Sequence, residues 1–276
     1  MATFINTIKN VASITGTTAK SASTFTNQDK GTVIQRDAVS QGNDLGAGFL
    51  FTHVCSGNNR CLFVTVQGRS TGLDSVKGAY YGDNIYFGSG SGTGQAMTLV
   101  SKYKGDSDRY LYLFFLADPT EGTHFVSITK NTGAGHGTAF ATSYKNVAQV
   151  GQPESFVTNT AISVSSLATN ITTTIDNSWF IGASRVVTGG VITAGADTYV
   201  TNVSPYNLVL FDRNGAITPA GVATANLNVD IARNIISIVA VISPYSTNWA
   251  NSSKNIASPT NITKNSASFV NQSKSS

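Results

Sequence analysis

Residues 110–116 read YLYLFFL, a run that is apolar at every position. Successive side chains of a β-strand point to opposite faces of the sheet, so a strand with this sequence is apolar on both faces. A strand that faces water on one side instead alternates apolar with polar residues. We therefore expect residues 110–116 to form a central strand that other parts of the domain cover on both sides.

Further short apolar runs lie on both sides of this stretch, separated by sequences that favour turns. Gly and Asn mark these turns, for example in SGNN at 56–59 and in the pair Asn214 and Gly215. Many strands at close spacing with such punctuation predict a β-sandwich or jelly roll. The predicted strands are residues 47–55, 61–67, 76–81, 97–103, 109–116, 123–130, 138–144, 160–166, 171–176, 178–186, 207–212, 222–229 and 234–243.

Composition favours the same fold class. Apolar residues make up 41% of the chain, enough for a buried core, whereas charged residues make up only 12%, about half the usual share. Long surface helices use Glu, Lys and Arg on their wet faces, so this balance disfavours them. We predict an all-β protein with an antiparallel, jelly-roll-like β-sandwich at residues 37–244, flanked by tails at 1–36 and 245–276.

Both tails contain a repeat of the form aromatic-x-Asn-x-x-Lys. The C-terminal tail has three copies at a ten-residue spacing, with proline in place of the aromatic in the middle copy: Trp249, Asn251 and Lys254; Pro259, Asn261 and Lys264; Phe269, Asn271 and Lys274. The N-terminal tail has two copies: Phe4, Asn6 and Lys9; Phe25, Asn27 and Lys30.

These tails are too poor in apolar residues to form a core of their own. One aromatic in ten residues buries too little surface to offset an ordering cost of roughly 1–2 kcal/mol per residue. An ordered tail must therefore dock its aromatic and Asn side chains on the domain, on another tail or on another subunit. The predicted docking residues are Phe4, Asn6, Phe25, Asn27, Trp249, Asn251, Phe269 and Asn271. The alternative is that each tail is a plain polar linker.

The positive charge of the chain lies in its tails. Residues 1–30 carry a net charge of +2 and residues 244–276 carry +3, whereas residues 31–243 carry −1. A nucleic-acid-binding domain would carry Lys and Arg on its folded surface, so we expect no nucleic-acid partner. No apolar run approaches the roughly 20 residues that span a bilayer, so we expect no membrane insertion.

The two cysteines flank one predicted turn. Cys55 and Cys61 enclose SGNNR, and predicted strands lead in and out of it. If the turn is a tight hairpin, the two side chains face each other across the ladder and can form a disulfide. Two buried free thiols are the alternative.

No residue pattern predicts catalysis or a bound group. His53, Cys55 and Asp118 have no spacing that requires a triad, and GRSTG at 68–72 is followed by a predicted strand where a nucleophile elbow needs a helix. Asp118 and Glu121 share a turn that opens with Asp-Pro, which accounts for them without glycoside hydrolysis. The three histidines and two cysteines show no metal-ligand spacing. We expect a protein that is not an enzyme and holds no cofactor or metal.

Three stretches resemble jelly-roll-like β-sandwich domains of phage structural proteins and of large bacterial surface proteins. They are SGNNRCLFVTVQG at 56–68, MTLVSKYKGDSDRYLYLFFLADPTEGTHFVSIT at 97–129 and LFDRNGAITPAG at 210–221. The resemblance covers about residues 45–243, and the terminal repeats resemble the tails of virion and filament-type proteins. It implies binding and assembly roles, with no catalytic residues to carry over. Cys55 and Cys61 stand where ordinary strand residues are expected.

The sequence as a whole favours a structural subunit of an external assembly. A virion component comes first, such as a capsid decoration, fibre or tail protein, with copies of itself or another structural protein as partner. The opening MATFINTIKN lacks a secretory-signal pattern, which favours a virion protein over an exported one. We expect the protein on a virion or at an extracellular surface.

The alternative is a surface adhesin, a carbohydrate-binding module or a subunit of an extracellular filament. Jelly rolls occur among lectin domains, in which aromatic rings with polar neighbours hold a sugar. The best candidate platform for a cell-surface glycan lies around Asp83 and Asn84. It consists of Tyr80, Tyr81, Tyr86 and Phe87.

Overall fold

The computed structural model describes residues 33–43, 48–69, 76–83, 94–104, 109–130, 137–186, 191–203 and 208–246. Within these ranges the chain forms fifteen strands and no helix. In chain order they are β1 (Gln35–Asn43), β2 (Gly48–Cys55), β3 (Cys61–Arg69), β4 (Val76–Gly82), β5 (Gln95–Ala96), β6 (Thr98–Lys104), β7 (Arg109–Ala117), β8 (Gly122–Lys130), β9 (Thr138–Lys145), β10 (Ser155–Thr172), β11 (Trp179–Val186), β12 (Ile192–Ala194), β13 (Tyr199–Val203), β14 (Leu208–Asp212) and β15 (Val222–Ile242). The prediction of an all-β protein is confirmed.

The strands form three antiparallel sheets. The central sheet has the order β1-β9-β3-β7-β6, and the outer sheet has the order β2-β8-β4-β5. The third, which we call the curled sheet, has the order β10-β15-β11-β14-β13, with β12 paired to β15. The predicted antiparallel sandwich is therefore present, and a third sheet extends it.

Strand β7 shows why the central sheet is covered on both sides. Three of its side chains pack in the core between the central and outer sheets: Tyr110, Tyr112 and Phe114. The three that alternate with them pack in the core between the central and curled sheets: Leu111, Leu113 and Phe115. Each buried side chain of this size contributes roughly 1.5–3 kcal/mol. The central strand predicted from YLYLFFL is confirmed.

The curled sheet encloses a core of its own because its two longest strands bend together. Strands β10 and β15 pair along their whole length, with register shifts between Ala161 and Ser166. Beyond this bulge the ribbon folds back, so that Ser155 Oγ donates to Thr172 O at 3.0 Å. The two halves enclose a third cluster that includes Phe180 and Phe211. A bulge of this kind increases bend and twist without ending the ladder.

Most predicted strands are present, and the differences have physical causes. The predicted pairs 160–166 with 171–176 and 222–229 with 234–243 are wrong as separate strands, because β10 runs unbroken from Ser155 to Thr172 and β15 from Val222 to Ile242. Residues 173–176 lie in no strand. Strand β1 was not predicted because its sequence, QRDAVSQGN, lacks apolar alternation. It lies at the edge of the central sheet, where a strand makes fewer packing contacts.

The segment between the two cysteines is not a hairpin, so the condition for a disulfide is not met. Strand β2 belongs to the outer sheet and β3 to the central sheet, so residues 56–60 pass from one sheet to another. Cys55 packs in the core between the outer and central sheets, and Cys61 packs in the core between the central and curled sheets. Both are buried free thiols, which is the second of the two alternatives. Their side chains enter different layers, so no disulfide joins them.

A buried ion pair fixes β1 against the curled sheet. The Arg36 guanidinium donates from Nε and Nη2 to the two carboxylate oxygens of Asp212 at 2.8 and 2.6 Å. The Tyr144 hydroxyl donates to the same carboxylate at 2.8 Å. Because the Asp212 side chain is fully buried, these three hydrogen bonds replace the water that it loses on folding.

Candidate functional site

The predicted docking residues of both tails lie outside the described part of the chain. They are Phe4, Asn6, Phe25, Asn27, Trp249, Asn251, Phe269 and Asn271. The structure does show where each tail joins the domain, since the described residues begin at Val33 and end at Ser246.

Both tails join the domain at one residue, Asn146. The Asn146 side-chain amide donates to Val33 O at 2.9 Å. The Asn146 carbonyl accepts from the Tyr245 amide at 2.8 Å, and Val147 forms a β-bridge with Pro244. Val33 and Tyr245, close to the two ends of the described domain, therefore lie next to each other.

The end of the domain at which the tails leave is formed by the loops 56–60, 146–154, 173–178, 217–221 and 243–246, and we call it the base. Backbone hydrogen bonds link these loops, including Ala148 N to Ser243 O at 2.9 Å and Thr173 N to Gly221 O at 2.8 Å. The Glu154 carboxylate joins three of them, accepting from Thr174, Ser178 and Ser243. The tails therefore start from a firmly held end of the domain.

Four aliphatic side chains are exposed at or beside the base. They are Val33, Val150, Ile175 and Val222, and Val150 is 88% exposed. Single exposed apolar residues are common on soluble proteins, but a group around one feature indicates a contact surface. All four lie on or directly beside the ends of the described domain or the loops of the base.

Of the four residues of the predicted glycan platform, the structure describes Tyr80 and Tyr81, and these two do not lie on one surface. Tyr81 has no exposed surface, and its hydroxyl lies 3.1 Å from Gly122 O and 3.3 Å from His53 O. Neighbouring residues of a strand point to opposite faces, so Tyr81 enters the core while Tyr80 points outward. Tyr86, Phe87 and Asn84 lie outside the described residues. Tyr81 is thus a core residue, which corrects its assignment to a platform.

Next to Tyr81, Asp83 and His124 form a polar notch of about 220 Å³ with Gln95 and Thr120. The His124 Nδ1 lies 2.5 Å from Asp83 Oδ1, and this hydrogen bond raises the pKa of His124. Gln95 Oε1 accepts from both the amide and the hydroxyl of Thr120 at 2.7 and 3.0 Å. The Gln95 side-chain amide, which a bound sugar would need, is already used within the turn at 118–121, since its Nε2 also donates to Asp118 O at 3.1 Å. Nothing in the sequence indicated this cluster, because its residues come from three separate segments.

His53, Cys55, Asp118 and Glu121 are buried or hold other parts of the fold together. His53 is buried beside Ser40, with Nδ1 2.8 Å from the hydroxyl, and burial lowers its pKa to about 4. Burial also raises the pKa of the Cys55 thiol to about 11, so it is protonated at neutral pH. Asp118 and Glu121 both pair with Arg60, at 3.1 and 3.7 Å. These residues therefore provide neither an activated nucleophile nor a free carboxylate pair.

The described residues contain neither a metal-binding cluster nor a membrane-spanning helix. No three His, Cys, Asp or Glu side chains among them lie close enough to hold a metal ion. None of the described segments is a helix long and apolar enough to cross a membrane.

No protein-family model matches the chain, and no curated protein or solved structure matches it either. The class of protein is therefore defined by the fold alone, as an all-β protein of stacked antiparallel sheets. The resemblance to phage structural and bacterial surface domains stays a prediction.

Proposed function

We propose that this chain is a non-enzymatic structural subunit of an external assembly, with a virion component such as a capsid decoration, fibre or tail protein as the first choice. The observation that carries the proposal is the joint exit of both repeat tails beside Asn146. One end of a firmly packed domain thereby presents two copies of a similar binding element. Such an arrangement suits attachment to neighbouring copies of the chain.

The tails have enough anchors to hold subunits together. An aromatic side chain that docks in a pocket contributes roughly 1.5–3 kcal/mol by burial. Because both tails leave from the same place, binding of one brings the other close to the same neighbour and raises its effective concentration. A fully extended tail of about 30 residues reaches roughly 100 Å, which is enough to contact a second subunit.

The base offers a surface for the same contact. Its exposed aliphatic residues are Val33, Val150, Ile175 and Val222. Burying them between two copies would remove apolar surface from water at the point where the tails already bring the subunits together. We therefore place the contact between subunits at the base.

Truncation tests the role of the tails. A chain of residues 33–246 keeps the bridge between Val147 and Pro244, so it should fold like the domain in the full chain. We expect the full chain to self-associate and the truncated chain to stay monomeric when both are measured by sedimentation velocity over a range of concentrations. If the truncated chain associates as strongly as the full chain, the tails are linkers and the proposal is wrong.

Point variants separate the anchors from the lysines. Trp249→Ala together with Phe269→Ala removes two anchors and should weaken association by on the order of a hundredfold or more. Lys264→Ala should change little beyond the dependence on salt. Equal effects of the two changes would contradict the assignment of the aromatic residues as anchors.

The surface of the base has a matched control. Val150→Glu places a charge beside the tail exit, whereas Val191→Glu places one at a similarly exposed valine next to β12, on the connection to β11. We expect only Val150→Glu to weaken association in the same sedimentation measurement. Equal association by both variants would exclude the base as the contact surface.

A further inference from the structure

A groove of about 330 Å³ lies between the outer and central sheets, on the side formed by β4 and β6. Residues 76–80 of β4 form one wall, and the segment from Ala96 to Lys102 forms the other. Tyr112 and Phe114 of β7 lie beneath the groove and are only 1% and 3% exposed, whereas Leu99 of β6 lines it and is 41% exposed. The groove therefore offers an exposed aliphatic side chain above two buried aromatic rings.

The outer sheet is incomplete along this groove. Strand β5 contains only Gln95 and Ala96, which pair with Tyr81 and Tyr80. The Met97 amide then donates to Ala79 O at 2.9 Å, and the chain crosses into the central sheet at Thr98. Within the described ranges, residues 76–78 of β4 have no strand beside them on this side. An extended peptide placed there would continue the line of β5 and pair with β4.

Charge decides which peptide fits. Lys77 and Lys102 are exposed on the two walls of the groove. The tails of this chain carry six lysines and one aspartate in residues 1–30 and 244–276, so the lysines of the groove repel them. A segment rich in Asp or Glu is complementary to these walls.

We infer that the groove binds an extended segment of another protein, in which acidic residues alternate with apolar ones, as a strand added beside β4. Alternate residues of a strand point to opposite faces. The apolar residues would pack on Leu99 above Tyr112 and Phe114, while the acidic residues would lie within reach of the long Lys77 and Lys102 side chains at the rims of the groove. This surface is separate from the base, so the inference does not depend on the proposed function.

Two synthetic peptides test the charge preference. The probes are fluorescently labelled Glu-Val-Glu-Phe-Glu-Val-Glu and the same peptide with Lys in place of Glu, and the readout is fluorescence polarisation with the full chain. We expect the acidic peptide to bind about tenfold more tightly at low salt and to lose this advantage at high salt. The double variant Lys77→Glu and Lys102→Glu should reverse the preference. Lys145→Glu, at the end of β9 and outside the groove, is the control and should leave the preference unchanged.

A second measurement tests the strand itself. In an added strand, alternate amides point towards β4, so methylating one alternate set of peptide nitrogens should abolish binding while methylating the other set should preserve it. Equal binding of the two methylated acidic peptides would overturn the strand geometry. Equal affinity for the acidic and basic peptides, or no reversal in the double variant, would overturn the inference. It would also fail if a peptide of residues 247–256 bound as tightly as the acidic probe, because the occupant would then be the tail of this chain.

Discussion

At the scale of single residues, His53 couples the fold to pH. Its folded pKa of about 4 lies below the ordinary value of 6.5, because burial disfavours the charged imidazolium. The unfolded chain therefore binds more protons than the folded chain as the pH falls from 6.5 towards 4. Burial of neutral His53 therefore contributes fully to the free energy of unfolding above pH 6.5. This contribution is lost as the pH falls from 6.5 to 4.

His53→Asn should remove this part of the pH dependence. We expect the free energy of unfolding of the unsubstituted chain to fall by about 2 kcal/mol more than that of the variant between pH 7 and pH 4.5. Urea unfolding at the two pH values measures the difference. Equal losses in both proteins would show that His53 is not buried in its neutral form.

The ion pair between Arg36 and Asp212 gives a second prediction at this scale. Asp212→Ala leaves the Arg36 guanidinium and the Tyr144 hydroxyl without their shared acceptor. Removing one partner of a buried pair typically costs 3–5 kcal/mol, so we expect a loss of about that size in urea unfolding. A loss below about 1 kcal/mol would mean that the pair does not hold β1 to the curled sheet.

Single residues also mark the limit of prediction from sequence. The pair Tyr80 and Tyr81 was assigned to one platform, but the sequence does not say which of two adjacent tyrosines enters the core. Arg36 and Asp212 lie 176 positions apart, and Asp83 and His124 lie 41 positions apart. Contacts of this kind depend on how the sheets stack, which no local spacing encodes.

At the scale of elements, the apolar strands were predicted well and the polar ones were not. Strand β7 is encoded by its own composition, because a strand buried on both faces needs apolar residues at every position. Strand β1 is held by the ladder with β9 and by the Arg36 ion pair, neither of which leaves an apolar pattern. The bend in β10 was also missed, since residues 160–166 were predicted as one strand and the bulge lies inside it, between Ala161 and Ser166.

The bend in β10 is held by hydrogen bonds that can be removed one at a time. The Asn159 side-chain amide donates to Ala168 O at 3.0 Å and joins the two halves of the strand. Asn159→Ala should cost about 1 kcal/mol and speed amide hydrogen exchange in residues 164–172 and 222–229, with little change in 235–242. The control is Asn228→Ala, an exposed asparagine on the same ribbon. If Asn159→Ala speeds amide exchange equally in residues 164–172, 222–229 and 235–242, the half of the ribbon beyond the bulge is not held separately from the rest of the sheet.

At the scale of the whole molecule, the proposed function depends on the position of the chain ends. Three stacked sheets form a body that packs its own cores, and its first and last described segments meet at Asn146. The sequence predicted the body and the tails separately. It could not bring the two ends of the domain together, because that placement follows from the contacts that Asn146 and Val147 make with Val33, Pro244 and Tyr245.

Electron microscopy of the purified full chain at high concentration tests this account most directly. The account predicts filaments, rings or lattices in which neighbouring domains contact each other through their bases, and single particles for a chain of residues 33–246. Single, monodisperse particles of the full chain at every concentration would contradict it.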